Sequence, residues 1–374
     1  MTVTEIACKK VGILTSGGDA PGMNAAVRAA TMLLHAAGCE VLGVGHGYRG
    51  VLEGDFVPLG PEQVAEIIRE GGTILGSSRC LEFMERAGRD EGRAKLREAG
   101  IDGLLTIGGN GTLTGAAALS DPEELGDQRL RVVGLPASID NDIGLTGMAI
   151  GVDTAMNTIV DACDKICDTA SAHDRTFLVE VMGRDCGYLA MTSAVAAAAD
   201  AVLFPEAGKS VEDLVQTVLK AIHKARARKS RNKRVLVIVA EGAGVPMAQM
   251  KERIEAQLQQ ELGEGAGQVE TRVTVLGHVV RGGRPSAFDR LLANRLAHVA
   301  VRALLEGKTR KMAAWLLPAD LPAEIAERSE ADPYCMLVDL SAVLAETHRL
   351  LSGTSPLAQW RKRVFEEVED VLST

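Results

Sequence analysis

Aromatic residues are scarce: the 374-residue chain holds two Trp, three Tyr and six Phe. Its interior must therefore be packed mainly by small and aliphatic side chains. Long apolar runs are missing too; none approaches about 18 residues, so no membrane-spanning helix is expected. The start, MTVTEIACKK, lacks the basic and then apolar pattern of a signal peptide. The seven cysteines include no CxxC and no metal-like spacing with the seven histidines. Cys163 and Cys167 sit one helical turn apart, as neighbours on a helix face do. An odd, scattered set points to a reducing compartment, and a cytoplasmic location is expected. Positive charge is in deficit, 41 Lys and Arg against 50 Asp and Glu, for a net charge of −9. That argues against nucleic acid as a partner.

What the chain has is apolar content (46%) and 40 glycines, arranged as short apolar strands that run into glycine loops and then helices. The pattern predicts strands over 11–15, 40–44, 103–107, 131–134, 176–181, 201–204, 235–240 and 272–276. Helices are predicted over 24–37, 61–70, 153–172, 210–228 and 285–306, with more helix after 331. Alternation of this kind specifies an α/β fold with mostly parallel sheets covered on both faces. The loops at 16–24, 71–79 and 108–112 bring bare backbone close to helix starts, which suits phosphate. They match neither a Walker A sequence nor GxGxxG, and tight strand-to-helix turns would look similar.

The stretch 135–142, LPASIDND, follows an apolar strand, so it lies at the carboxyl end where open α/β sheets bind ligands. Two carboxylates, Asp140 and Asp142, are one residue apart. Their repulsion favours a proton on one of them. A base beside a metal-organising carboxylate would suit phosphoryl transfer. Asp and Asn are also common turn residues, and alone the stretch fits a solvated turn equally well. Residues 224–234 carry seven cations in eleven positions, which reads best as a solvated helix end and otherwise as a phosphate-effector site.

Six stretches together resemble ATP-dependent 6-phosphofructokinases: LTSGGDAPGMNAA at 14–26, GGTILGSSR at 71–79, IGGNGT at 107–112, PASIDND at 136–142, VEVMGR at 179–184 and TRVTVLGHVVRGG at 271–283. They occur in the family's order and cover about residues 10–330. The resemblance implies two Rossmann-like three-layer α/β/α domains with the active site in the cleft between them. A nucleotide-binding domain would comprise 1–150 and 280–330. A sugar-phosphate-binding domain would comprise 151–279 and 331–374.

The implied reaction moves the γ-phosphoryl group of ATP to the 1-hydroxyl of fructose 6-phosphate, in glycolysis, with Mg²⁺. Asp140 would be the base. Ser138, where the family usually has Thr, would keep a hydroxyl on the moving phosphoryl group, and Asp142 would lie near Mg²⁺. Gly17 would offer its N–H to the phosphates, and Arg79 and Arg184 would neutralise developing charge. Gly109, Asn110, Gly111, Thr112 and Gly115 would line the nucleotide, with Tyr48 and Cys80 nearer the nucleoside. Met182, Gly183, Glu241, His278 and Arg281 would hold the sugar phosphate. Arg175 and Arg272 match arginines that reach the 6-phosphate from a neighbouring subunit, which implies a homotetramer or homodimer with shared sites.

Three departures from the family pattern stand out. Asn110 replaces an Asp that supports Mg²⁺, so weaker or altered metal use is expected, with Asn110 and Asp142 as the metal residues. Ala137 stands where ATP enzymes have Gly and pyrophosphate enzymes Lys. With Gly111, where the latter carry Asp, it leaves room for a nucleotide. Arg28 alone persists among the family's effector arginines; Met32, Pro61 and Cys167 occupy the other places, so regulation by ADP or phosphoenolpyruvate is expected to be weak. A pyrophosphate-dependent enzyme, a kinase for another sugar phosphate such as sedoheptulose 7-phosphate, and a non-catalytic sugar-phosphate-binding subunit remain alternatives.

Overall fold

A computed structural model describes residues 7–126, 129–229, 233–263, 270–315 and 326–372. The chain divides into two compact units, Met1–Thr154 with Arg281–Arg349, and Ala155–Val280 with Leu350–Thr374.

The first unit is built on an eight-stranded sheet. Its strands are β1 (Lys10–Ser16), β2 (Glu40–Val44), β3 (Phe56–Pro58), β4 (Gly103–Gly108), β5 (Arg131–Pro136), β10 (Lys311–Trp315), β11 (Ala326–Arg328) and β12 (Cys335–Asp339), in the order β11-β12-β10-β5-β4-β1-β2-β3. The five central strands are parallel, and antiparallel strands close both edges. Both faces are covered, which is why the central strands read as unbroken apolar runs. Leu304 of the helix Ala287–Leu305 meets Gly103 on one face, and Leu113 of the helix Asn110–Leu119 meets Gly134 on the other.

The second unit carries a four-stranded parallel sheet of β6 (Thr176–Val181), β7 (Ala201–Leu203), β8 (Val235–Ala240) and β9 (Thr271–Val275), in the order β7-β8-β6-β9. Leu178, Leu203, Val235, Val237 and Val239 form a core with the helices Val211–Ala227 and Met247–Leu262. The alternate residues Val202, Leu236 and Ile238 are as deeply buried, so the other face is covered too. No helix among the described residues is long and apolar enough to cross a membrane.

The predicted strands are present, with ends shifted by a residue or two. Three sequence expectations differ. The helix expected over 61–70 stops at Val64, and a 3₁₀ turn, Ile67–Arg69, follows. The tail after 331 holds the expected helical segments, Leu340–Leu351 and Pro356–Leu372, but it begins with β12, whose antiparallel pairing with β10 no local periodicity announces. Residues 331–349 fall in the first unit, whereas the expected division put 331–374 with residues 151–279. The remaining tail helix, Pro356–Leu372, belongs to the second unit: Arg361 lies 4.5 Å over the Tyr188 ring, and Phe365 meets Phe204 edge-on.

Candidate active site

The sheet register of the first unit aligns three loops. Ser16 at the end of β1 lies beside Gly108 at the end of β4, which lies beside Pro136 at the end of β5. Neighbouring strands are about 4.8 Å apart, so loops 17–22, 109–112 and 137–142 leave the sheet within roughly 10 Å of each other. Gly17 has φ +83°, a left-handed conformation open to glycine. Gly108 has no room for a side chain: a Cβ there would stand 2.3 Å from Thr112 Oγ1. The Thr112 hydroxyl donates to the Ser16 carbonyl at 2.9 Å and is buried. Thr112 thus ties the first two loops together.

The 137–142 turn is held from inside. Asn141 is buried with φ +49°; its amide donates to Gly147 O (3.1 Å) and accepts from Ala149 N (2.9 Å). Asp140 and Asp142, on either side of it, are half-buried. Asp142 takes a hydrogen bond on each oxygen, 2.8 Å from Ser138 Oγ and 2.7 Å from Asn110 Nδ2. The Asn110 amide must turn its nitrogen to that carboxylate. Its Oδ1 is left buried and without a hydrogen bond, an acceptor available to a cation or a donor from a ligand. Further along, buried Asp289 receives Gly151 N (2.8 Å), Thr154 N (2.8 Å) and Thr154 Oγ1 (2.5 Å), and burial pushes its pKa up.

Loop 71–79 is fastened beside them. Asn24 donates to Gly71 O at 3.1 Å and accepts from Ile74 N at 2.8 Å. Ser77 Oγ donates to Gly17 O at 2.5 Å, and Ser78 Oγ to His46 O at 3.1 Å. This leaves Arg79 exposed, with no ion-pair partner among the described residues. Cys80 is half-buried, and burial pushes its thiol pKa up. Tyr48, expected near the nucleoside, is buried instead: its hydroxyl donates to Thr112 O at 2.6 Å, its ring stacks on Phe83 at 4.3 Å, and it fills the space a Cβ on Gly115 would need. Gly115 therefore makes room for a tyrosine. Gly111 has open space around it. Arg281, expected among the sugar-phosphate residues, lies in the first unit and donates to Asp19 O at 3.2 Å, over a bare Gly18.

In the second unit the carboxyl ends do the same work. Val181 of β6 pairs with Ala240 of β8, and Glu180 with Val275 of β9. The segments holding Met182, Gly183 and Arg184, then Glu241, then His278 are therefore neighbours. Gly183 has φ +134°, and a Cβ on Gly242 would strike the Arg184 carbonyl. This close packing leaves the Arg184, Glu241 and His278 side chains exposed. Burial and the Glu241 charge together raise the pKa of Glu180. Arg175 and Arg272 stand apart from this group. They lie at the amino ends of β6 and β9, about 23 Å and about 16 Å down the strands at 3.3 Å per residue, where both pair with Glu270.

Residues 10–304 match the sequence profile of a family described as phosphofructokinase. The chain belongs to the phosphofructokinase family. It is 45% identical over 306 residues to an ATP-dependent 6-phosphofructokinase of Thermotoga neapolitana, covering 82% of this chain and 89% of the relative. It is 44% identical over 339 residues to one of Thermus thermophilus, covering 90% and 99%. Among solved structures, phosphofructokinase from Saccharomyces cerevisiae superposes with a TM-score of 0.78 at 32% identity over 97% of this chain; the chain spans 50% of that protein's length.

Set against the family pattern, the residues missing from the sequence reading are the supports: Asn24, Asn141, Asp289 and Glu270. Each is an ordinary polar residue in sequence, and only burial or a distant partner marks it. The basic run has a structural use among its described members. Arg228 pairs with buried Asp200 at 2.5 Å, and the Lys233 ammonium donates to the Arg226 and Arg228 carbonyls at the helix end. That agrees with a capped helix terminus. Residues 230–232 lie outside the described residues.

Proposed function

We propose that the protein transfers the γ-phosphoryl group of ATP to the 1-hydroxyl of fructose 6-phosphate, giving fructose 1,6-bisphosphate. The observation that carries this reading is the convergence of the Gly17, Gly109 and Asp140 loops at adjoining strand ends. It brings phosphate-binding backbone beside a pair of carboxylates. Asp140 takes the proton of the acceptor hydroxyl as its oxygen attacks phosphorus. Ser138 and the Gly17 N–H orient the transferring group. Arg79 and Arg184, both exposed, take the roles of the family's arginines that offset the charge developing on it. Glu241 accepts hydrogen bonds from sugar hydroxyls, with Met182, Gly183 and His278 around it. The open space at Gly111 supports a nucleotide donor over pyrophosphate.

Mg²⁺ belongs to this reading. No group of three or more His, Cys, Asp or Glu among the described residues is placed to hold a metal ion. The residues that fit it are Asn110, through its buried unpartnered Oδ1, and Asp142 beside it. When bound, the cation supplies positive charge to the phosphate oxygens. Arg175 and Arg272, at the strand ends opposite to Glu241, match arginines that in the family reach the sugar phosphate from a neighbouring subunit. The reading therefore has them contact a neighbouring subunit's substrate, in a homodimer or homotetramer.

The test is product formation from fructose 6-phosphate with ATP and with pyrophosphate at varied Mg²⁺. We expect ATP-driven turnover, and a loss of about 10²- to 10⁴-fold in kcat for Asp140→Asn with fructose 6-phosphate still bound. Turnover with pyrophosphate alone, or binding without turnover, would overturn the reading.

A further inference from the structure

We infer that Glu270 is a built-in competitor for the phosphate group of the sugar substrate, occupying the arginine pair until the substrate displaces it. The inference rests on the assignment of Arg175 and Arg272 to that phosphate. Register creates the arrangement. β6 and β9 are adjacent and parallel, with Thr176 beside Thr271 and Phe177 beside Arg272. Arg175 and Glu270, each preceding its strand by one residue, are therefore side by side, and Thr176 N donates to Glu270 O at 3.0 Å. Glu270 and Arg272, two residues apart, share one face of β9.

The carboxylate divides itself between the two cations. Arg175 Nε pairs with Oε2 and Arg272 Nη2 with Oε1. One anionic group bridging two guanidinium groups is also the way such a pair holds a phosphate. The charges are unequal to the task of holding it permanently: two guanidinium groups against one carboxylate leave a net positive charge, which a phosphate dianion matches better. Hydrogen bonding from Arg175 holds the Glu270 pKa below the usual carboxylate range, so the competitor stays ionised near neutral pH. The side chains are 25%, 41% and 47% exposed for Arg175, Glu270 and Arg272. Ion pairs this open to water are weak and exchangeable.

The experiment uses the full-length protein and reads KM for fructose 6-phosphate at saturating ATP, with Kd for fructose 6-phosphate from calorimetry without nucleotide. Glu270→Gln is expected to lower both about fivefold, the scale of two weak exposed pairs, with kcat and KM for ATP unchanged. Glu270→Ala should move them the same way, which ties the effect to the charge. Arg175→Ala and Arg272→Ala should raise both. If the arginine variants weaken binding but neither Glu270 variant tightens it, the competitor role is overturned and the phosphate assignment stands. If the arginine variants change nothing, the assignment itself falls and takes this inference with it.

Discussion

At the scale of single residues, the site turns on one amide. An Asp at position 110 would bring two carboxylates within 2.7 Å, where Asn110 now gives a hydrogen bond to Asp142. Without a cation the two would repel; with one between them, both become ligands. Asn110→Asp should therefore lower the Mg²⁺ concentration for half-maximal rate by about tenfold. It should also lower the melting temperature in metal-free buffer and restore it when Mg²⁺ and ADP are added. Turnover at varied Mg²⁺ and thermal scans with and without metal measure the two effects. Equal Mg²⁺ dependence in both proteins would remove Asn110 from the metal site. Tyr48 and Thr112 carry the complementary lesson. Both residues were expected to line the nucleotide, and the hydroxyl of each holds the backbone of the loops that would carry it.

Elements are held together by charge as well as by apolar packing. The helix Arg86–Glu98 is fixed to the short helix Pro122–Leu125 through Glu124, which pairs with Arg89 at 2.7 Å and with buried Arg93 at 2.6 Å. The hydrogen bond from Arg89, then that from Arg93, lowers the Glu124 pKa from its ordinary 4.5 to about 2. In the unfolded chain this carboxyl takes up its proton at higher pH than in the folded one. Its contribution is therefore fully present above about pH 4.5 and is lost as the pH falls toward 2. Glu124→Gln should cost about 2 kcal/mol at neutral pH, because it removes the Arg89 pair and one of the two carboxylates on buried Arg93, which keeps Asp90 at 2.8 Å. The difference from wild type should shrink by about pH 3. Urea midpoints at the two pH values check this; a gap that is constant with pH would place the stabilisation elsewhere.

At the scale of the whole molecule, the separation of the arginine pair from Glu241 has a consequence for assembly. On the proposed sharing of sites, in which Asp140 comes from one protomer and Arg272 from another, two variants weak for different reasons can repair each other. Asp140→Asn and Arg272→Ala proteins, mixed after subunit exchange, should recover about a quarter of wild-type activity, the share of randomly formed sites in which both residues are intact. Activity no higher than the mean of the separate proteins would place both residues in one protomer's site. The tail belongs to this scale as well. Its last helix covers Tyr188 and Phe204 of the second unit, so it is part of that unit's packing.

The chain itself determined the elements and the loops of chemistry. Val11–Leu14 and Val235–Ala240 can only be buried strands, and a glycine loop after such a strand needs no tertiary information to be seen. Asp140 and Glu241 could be proposed for that reason: they sit in loops that follow a strand end, whereas Arg79 was found by the glycine-rich loop before it. Tertiary structure decided which polar groups face a ligand and which face the protein. Thr112 and Tyr48 turn inward because Ser16 O and the Thr112 carbonyl lie within hydrogen-bond reach. Arg281 joins the loop of Gly18 because its segment crosses into the first unit there. β12 pairs with β10 across the 19 residues between Trp315 and Cys335. Glu270 meets two arginines only because β6 and β9 are neighbours in register. Hydrophobic periodicity is a property of neighbours in sequence, whereas a hydrogen bond or an ion pair needs two groups that the chain alone never sets side by side.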